Sequence, residues 1–422
     1  MKKSALFILF LFVFSFSSAQ VKVLFDATKA QMAGNADWVV DADLYNIGAG
    51  SGGAMLVGSG NEANPQRIPT NAQTGITATT AETYWKGGLS NWAIDLVRRG
   101  YTIETLPFNG QITYGVTTNV QDLSNYKVFI VCEPNIPFTP AQKSAMMSFV
   151  QNGGGLFVIG NHNGSDRNSD GWDSPRVWND FFNVNPVRNN PFGFNFDAVS
   201  YSQTTYNLAP LATNPILKGP AGNVTGLKYD SGSSMTLNRT ANPTVTGLIF
   251  KTGASNTGTT NAMFVTSTYG SGRVCGIADS SPSDDGTGDN NDVLYSSYRT
   301  SVSGSHQKMF INAVLWLTGT TSFASPVQEL PVQSERISSS FESLSVFPIP
   351  AHDRLYFSAN ALDGKVYLRF TDLLGRNIAN YEANFQSGRF ELDLDRTLLS
   401  KGIYLLSIVS GDKQKLVRVI ID

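Results

Sequence analysis

The sequence is poor in cysteine and in net charge. Its 422 residues include 2 cysteines and 3 histidines, and 31 basic residues are balanced by 33 acidic ones, for a net charge of −2. So few cysteines exclude a disulfide-rich scaffold. No cluster of Lys and Arg supplies the basic face that phosphate binding needs, which argues against nucleic acid as a partner.

Long apolar runs are also missing. The longest covers residues 5–16, whereas a helix needs roughly 20 apolar residues to span a bilayer. A basic start, Met1-Lys2-Lys3, precedes this run, and Ser17-Ser18-Ala19 follows it. This pattern predicts a signal peptide over residues 1–19 and a mature chain that begins near Gln20. We therefore expect an exported protein without a transmembrane segment.

Familiar catalytic signatures are absent as well. The chain contains no HExxH, no GxSxG and no P-loop. Cys132 and Cys275 each lie in an apolar, strand-like run, which favours buried thiols over nucleophiles. A disulfide between the two stays open at this point.

Strands and helices alternate in the first part of the chain. The predicted strands cover residues 21–25, 101–106, 127–132, 156–159 and 272–278, and the predicted helices cover 89–99, 141–151, 177–182 and 306–317. Gly100 ends the first helix, and Thr139-Pro140 begins the second. Strand, helix and strand at these lengths predict right-handed crossovers and a parallel sheet. We expect one α/β domain over residues 20–318, with a loop insertion near residues 46–80.

Two polar loops follow predicted strands of this domain. One is GNHNGSDRNSDGWDSP, residues 160–175, and the other is the acidic run at residues 279–292. Function in open parallel sheets gathers at the carboxyl ends of the strands. Both loops therefore belong to the expected functional edge.

The first loop fits half of a calcium-binding motif. Residues 166–171, DRNSDG, match D-x-[DN]-x-[DN]-G, in which alternate oxygens converge on a hard cation and glycine permits the sharp turn. Val177 stands where a full motif has a bidentate Glu. The predicted calcium ligands are Asp166, Asn168, Asp170 and Asp173. The alternative is a polar surface loop, because Asp and Asn are common turn residues.

His162 and Asp279 are the candidate catalytic residues, since each follows a predicted strand directly or nearly so. His162 is suited to act as a general base or a metal ligand. A histidine that merely hydrogen-bonds to a turn is the competing interpretation.

The C-terminal part changes character. Residues 319–342 are rich in Ser, Pro, Gln and Glu, as in a linker, and residues 343–422 have the short alternating strands of a small all-β sandwich. Four motifs stand out: SVFPIPA at 345–351, DLLGR at 372–376, LSKGIYLL at 399–406 and KLVRVII at 415–421.

These motifs resemble the type A C-terminal sorting domain of the type IX secretion system of Bacteroidetes, although Ile349 stands where that family usually has Asn. The resemblance implies recognition by the type IX machinery. It also implies passage through the periplasm and across the outer membrane, followed by release or attachment to the cell surface.

A second resemblance covers residues 128–184. FTPAQ at 138–142 and GGGLFVIG at 153–160 resemble the class I glutamine-amidotransferase-like fold, in the version of an intraflagellar transport subunit and of the ThuA-like group. The resemblance implies a flavodoxin-like parallel sheet. Amidotransferases place a Cys after this strand, where the present chain has Asn161-His162-Asn163.

Two functional hypotheses follow from this departure. In the first, the domain binds an extracellular glycan or protein ligand at the carboxyl ends of the strands, without cysteine catalysis. In the second, it is a metal-assisted extracellular hydrolase of a glycan or an ester.

Overall fold

The computed structural model describes residues 21–41, 48–49, 55–56, 73–288, 292–320, 344–359, 364–371, 377–394, 399, 401–410 and 413–422. The chain divides into two compact units, Met1–Val327 and Gln328–Asp422. The predicted signal peptide and most of the predicted insertion and linker lie outside the described residues.

No helix among the described residues is both long enough and apolar enough to cross a membrane.

The first unit contains four α-helices and sixteen strands within its described ranges. The helices are α1 (Ser90–Arg98), α2 (Pro140–Gln151), α3 (Ser174–Asn183) and α4 (Ser305–Thr318). The strands are β1 (Lys22–Asp26), β2 (Gly48–Ala49), β3 (Met55–Leu56), β4 (Thr102–Leu106), β5 (Val128–Cys132), β6 (Gly155–Ile159), β7 (Phe194–Phe196), β8 (Tyr201–Thr205), β9 (Asn207–Leu208), β10 (Lys218–Gly219), β11 (Gly222–Asn223), β12 (Leu227–Gly232), β13 (Met235–Leu237), β14 (Thr246–Phe250), β15 (Ala262–Tyr269) and β16 (Gly272–Ile277).

The main sheet is mixed and has the order β4-β1-β5-β6-β16-β15-β13-β7, with β14 and β9 continuing from β15. The pairs from β4 to β16 are parallel, and those beyond β16 are antiparallel. The predicted α/β class with a parallel-rich sheet is confirmed. Every residue of β5 and β6 is buried, which explains why these central strands are uninterrupted apolar runs in the sequence.

Local sequence signals account for the helix ends. The Thr139 side chain accepts a hydrogen bond from the Gln142 N–H in a capping box at the start of α2. Gly100, at φ +86°, follows α1 where the chain must adopt a left-handed conformation. The predicted helix 177–182 begins earlier than expected, at Ser174, because the Asp173 side chain caps it.

Aromatic side chains fill the core of this unit. The Trp92 ring on α1 lies edge-on to Phe25 of β1, to Phe157 of β6 and to Phe310 of α4, with centroid distances of 5.4, 5.5 and 4.6 Å. Such contacts tie two helices to the centre of the sheet. Trp178 of α3 donates from Nε1 to the Ile159 carbonyl at 3.0 Å, which holds α3 against the end of β6.

The second unit is an all-β region with antiparallel sheets. Its strands are β17 (Ser345–Phe347), β18 (Arg354–Ser358), β19 (Gly364–Thr371), β20 (Asn377–Phe385), β21 (Arg389–Asp393), β22 (Gly402–Ser410) and β23 (Lys413–Ile421). They form sheets of order β17-β18-β21 and β20-β19-β22-β23. Leu355 and Phe357 of the first sheet share one core with Val366 and Leu406 of the second, and the all-β prediction is confirmed.

Candidate functional site

The carboxyl edge of the parallel strands carries a buried polar cluster. Glu133 follows β5 directly, is fully buried and has a φ of +43°. A bulky residue in this left-handed region costs roughly 1–3 kcal/mol and persists only when its surroundings impose it. The Glu133 N–H donates to the Ile159 carbonyl at the end of β6, so neighbouring strands hold the strained residue.

Arg167 and Ser280 bind the Glu133 carboxylate from two other segments. Arg167 Nε donates to Oε1 at 2.7 Å, and Ser280 Oγ donates to Oε2 at 2.7 Å. The adjacent Glu133 carboxylate raises the pKa of Arg167. The cluster therefore contains a charge-assisted ion pair in which both carboxylate oxygens are used.

Two asparagines fix the position of Arg167. Its Nη1 donates to Asn35 Oδ1 at 2.6 Å, and its backbone N–H donates to Asn135 Oδ1 at 2.9 Å. The Asn135 N–H in turn donates to the Lys29 carbonyl. The loops after β1, β5 and β6 are thus joined through one guanidinium.

Asp279 is buried beside this cluster, after β16. Its Oδ2 accepts from the Asp230 N–H at 2.8 Å and from Ser281 Oγ at 2.7 Å, and its Oδ1 accepts from the Ser281 N–H at 3.0 Å. Burial raises the pKa of Asp279 to about 7, and the Glu133 carboxylate adds to the rise. The carboxyl can therefore hold or release a proton near neutral pH.

Three tyrosines, Tyr201, Tyr229 and Tyr295, lie within the electrostatic reach of Asp279. Burial raises the pKa of Tyr201, with Asp279 as the next cause, and burial and Asp279 also raise that of Tyr295. Lys251 Nζ lies 3.8 Å from the centroid of the Tyr201 ring. The surroundings of Asp279 thus combine phenol rings with charged groups.

Asp284 and Asp285 of the second acidic loop accept hydrogen bonds from backbone N–H groups. Asp284 accepts from the N–H groups of Gly286 and Tyr295 at 2.7 and 2.8 Å, and Asp285 accepts from that of Asn91, the second residue of α1, at 2.5 Å. Burial raises the pKa of Asp284 to about 6 and that of Asp285 to about 7. The loop is therefore held against α1.

The predicted calcium ligands lie in one loop and hydrogen-bond within it. Asp166 accepts from the backbone N–H groups of Asp170 and Gly171 at 3.1 and 2.7 Å. Asp170 accepts from Asn168 Nδ2 at 3.0 Å and from the Trp172 N–H at 2.9 Å. Among the described residues, no group of three or more His, Cys, Asp and Glu side chains is arranged to hold a metal ion.

Asp173 has a separate position. Its Oδ1 caps α3 by accepting from the Arg176 N–H at 2.9 Å, and its Oδ2 accepts from the Gly164 N–H at 2.6 Å. The side chain that the sequence suggests as a calcium ligand here starts a helix and closes the loop.

His162 hydrogen-bonds within its own loop. Its Nδ1 lies 2.9 Å from the Asn163 carbonyl oxygen, and its backbone N–H donates to Asn161 Oδ1 at 2.8 Å. No hydrogen bond or ion pair within the described ranges joins His162 to Asp279. The structure brings Asp279 to Glu133 and Arg167 instead.

Both cysteines are buried and unpaired, as their apolar surroundings in the sequence predict. Burial raises the pKa of each thiol well above its ordinary value. Cys132 precedes Glu133, but its thiolate is strongly disfavoured there.

The C-terminal unit has a family assignment. Residues 345–422 match the model of the secretion system C-terminal sorting domain. This region is a sorting domain. The chain is therefore a secreted or cell-surface protein and a cargo of the type IX secretion machinery.

Several solved structures are similar at low identity. The mmIFT52 N-terminal domain is 13% identical, with 70% of this chain and 97% of that chain covered and a TM-score of 0.39. The cytoplasmic protein STM1381 from Salmonella typhimurium LT2 is 12% identical, with 72% and 100% covered and a TM-score of 0.35. At such scores these likenesses support no inference about fold or activity.

A third similarity is confined to a short part of the chain. Latent PorU from Porphyromonas gingivalis is 20% identical over 18% of this chain and 9% of that chain, with a TM-score of 0.16. The search of curated proteins returned no match.

Sequence reasoning missed Glu133, Arg167 and Ser280. The position of Glu133 directly after a fully apolar strand could have identified it. A carboxylate there is costly to bury, which suggests that a basic or hydrogen-bonding side chain pairs with it. Arg167 lies inside the predicted calcium loop, at a position of the motif that supplies no metal ligand.

Proposed function

We propose that this sorting-domain cargo binds an extracellular glycan or protein ligand at the carboxyl edge of its first unit, without cysteine catalysis. We also propose that this unit has a flavodoxin-like, amidotransferase-related fold. Numbered along the chain, its parallel strands have the order 2-1-3-4-5, which is the flavodoxin-like order. In such sheets ligands bind outside the carboxyl ends, where the order reverses between the first and third parallel strands.

The observation that carries the proposal is the Glu133–Arg167 pair beside this switch point. Three loops converge to hold Arg167, and Glu133 has a strained backbone that its neighbours hold in place. Strained residues cluster at binding and active sites, and a locked group can orient a ligand at little entropic cost. The neutral, buried thiol of Cys132 supports a function without a cysteine nucleophile.

The loop at residues 160–175 supplies a surface for the ligand. The guanidinium carbon of Arg176 lies 4.1 Å from the centroid of the Trp172 ring, and Trp172 is half-buried while Arg176 is exposed. An aromatic face beside a cation suits both the apolar face of a sugar and a side chain of a protein ligand. We place the ligand against Trp172, with Arg167 beneath the loop.

Binding to arrays of bacterial and plant glycans and of cell-surface proteins tests this function. The full mature chain is compared with Trp172→Ala and with Arg167→Lys. The second change keeps the positive charge but replaces the planar guanidinium and its N–H donors with an ammonium group. Gln151→Ala, an exposed change at the last residue of α2, is the control. We expect a ligand that both site variants lose and the control keeps. Equal binding by all variants would place any ligand elsewhere.

A hydrolase is the second candidate, and Asp279 favours it. A buried carboxyl with its pKa raised to about 7 is suited to proton transfer at neutral pH. His162 and a metal ion complete this hypothesis. Hydrolysis of chromogenic glycosides and esters that disappears in Asp279→Asn, and that depends on added metal, would support it over simple binding.

A further inference from the structure

A cavity lies at the amino edge of the sheet, opposite the Glu133 cluster. Its volume is about 600 Å³, and its lining includes Lys218, Arg273 and Trp316. Arg273 is the second residue of β16 and pairs with Gly155, the first residue of β6. The cavity is therefore separate from the site of the proposed function and does not depend on it.

Arg273 and Trp316 form a fixed pair in the wall of this cavity. Arg273 Nη1 donates to the Trp316 carbonyl at 2.6 Å, and the guanidinium carbon lies 5.3 Å from the centroid of the indole ring. Both residues are half-buried. The hydrogen bond uses one of five guanidinium N–H donors, so the group is oriented while other donors are left for a ligand.

Asn312, one turn before Trp316 on α4, fixes the neighbouring loop against the helix. Its Nδ2 donates to the carbonyls of Ile216 and Gly222 at 3.0 Å each, and its Oδ1 accepts from the Ala221 N–H at 2.9 Å. A Cβ added at Gly219 would lie 2.4 Å from Oδ1, so the loop approaches α4 as closely as the backbone allows. A preformed wall lowers the entropic cost of binding.

The chemistry of the lining is selective. It contains the cations Lys218 and Arg273 and no Asp or Glu, in a chain whose net charge is −2. Apolar surface comes from the Trp316 indole and from Pro215 and Pro220. Cations beside an aromatic ring suit a ligand that has a carboxylate and one apolar face.

We propose that this cavity binds an acidic saccharide, a sugar of the uronate class. The carboxylate lies between Arg273 and Lys218, and the apolar face of the ring lies on Trp316. The two cations then recognise the charge of a single sugar unit, and the aromatic ring recognises its shape.

Titration of the full mature chain with a glucuronate-containing disaccharide, followed by tryptophan fluorescence, tests the proposal. The matched neutral disaccharide is the ligand control. We expect a saturable change with the acidic sugar that is absent from Trp316→Phe, together with weaker affinity at higher salt. Affinity should fall about tenfold in Arg273→Gln and in Lys218→Ala, since each removes a charge-assisted contact.

Lys218 is exposed, so Lys218→Ala keeps the test valid if Arg273→Gln disturbs the fold. Gln151→Ala, an exposed change at the end of α2, should leave this affinity unchanged. A loss of affinity in Arg167→Lys would mean that the sugar binds at the carboxyl edge, and it would overturn the proposal. Equal affinity for the neutral and acidic disaccharides would overturn the proposal. So would full binding by Lys218→Ala, or the absence of binding by the unmodified chain.

Discussion

Removal of the Arg167 side chain is the sharpest test of the buried cluster. Arg167→Met keeps most of the hydrocarbon stem but leaves the Glu133 carboxylate buried with Ser280 as its remaining described side-chain partner. The side chains of Arg167 and Glu133 are 14% and 0% exposed. Breaking a buried ion pair by removing one partner costs about 3–5 kcal/mol, and we expect a loss in that range at pH 7.

Urea unfolding followed by tryptophan fluorescence measures this loss. All 6 tryptophans lie before residue 328, so the signal reports on the first unit, Met1–Val327. Arg299→Met is the matched control, because Arg299 forms a 3.0 Å ion pair with Glu82 in the same unit at 40% and 34% exposure. Exposed pairs contribute about 0–1 kcal/mol.

A double-mutant cycle separates the ion pair from packing. Glu133→Gln keeps the shape of Glu133, so adding it to Arg167→Met should restore part of the lost stability, because no unpaired charge stays buried. A loss in Arg167→Met no larger than that in Arg299→Met would refute the reasoning. It would mean that Glu133 is hydrated or protonated without its partner.

Three further predictions concern pH, calcium and export. The pKa of Asp279 is raised from 3.8 to about 7 in the folded chain, so the free energy of unfolding should fall as pH rises from about 4 to 7. Urea unfolding at a series of pH values measures this fall, which should be smaller in Asp279→Asn. If residues 166–171 bind calcium, millimolar calcium should raise the melting temperature and EDTA should lower it. The double variant Asp166→Asn/Asp170→Asn should lose this response, whereas a melting temperature indifferent to calcium, with no metal in the purified protein, would leave a polar loop. Deletion of residues 344–422 should retain the chain in the periplasm, and cell fractionation would contradict the sorting role if the truncated chain reached the medium at normal levels.

Strands and helix ends that are set by residues adjacent in the sequence could be predicted from the sequence. The apolar runs at β5 and β6, the Thr139-Pro140 start of α2 and the Gly100 end of α1 all appear where expected, because caps and periodicity act over a few residues. The sorting domain could be recognised for the same reason, since its motifs are short and contiguous.

Asp173 marks the limit of local reasoning. An Asp followed by Ser-Pro can start a helix or offer an oxygen to a metal, and both uses have the same local sequence. The structure places Asp173 at the start of α3, since α3 packs its Trp178 against the end of β6.

The buried cluster was decided by tertiary structure alone. Arg167 lies 34 positions from Glu133, and Ser280 lies 147 positions from it. Only the order β5-β6-β16 brings these strand ends side by side, and that order depends on packing of the whole sheet. The sequence therefore determines the parallel strands, the helices and where the chain is sent, whereas the sheet determines which polar groups meet, because long-range pairing leaves no local pattern.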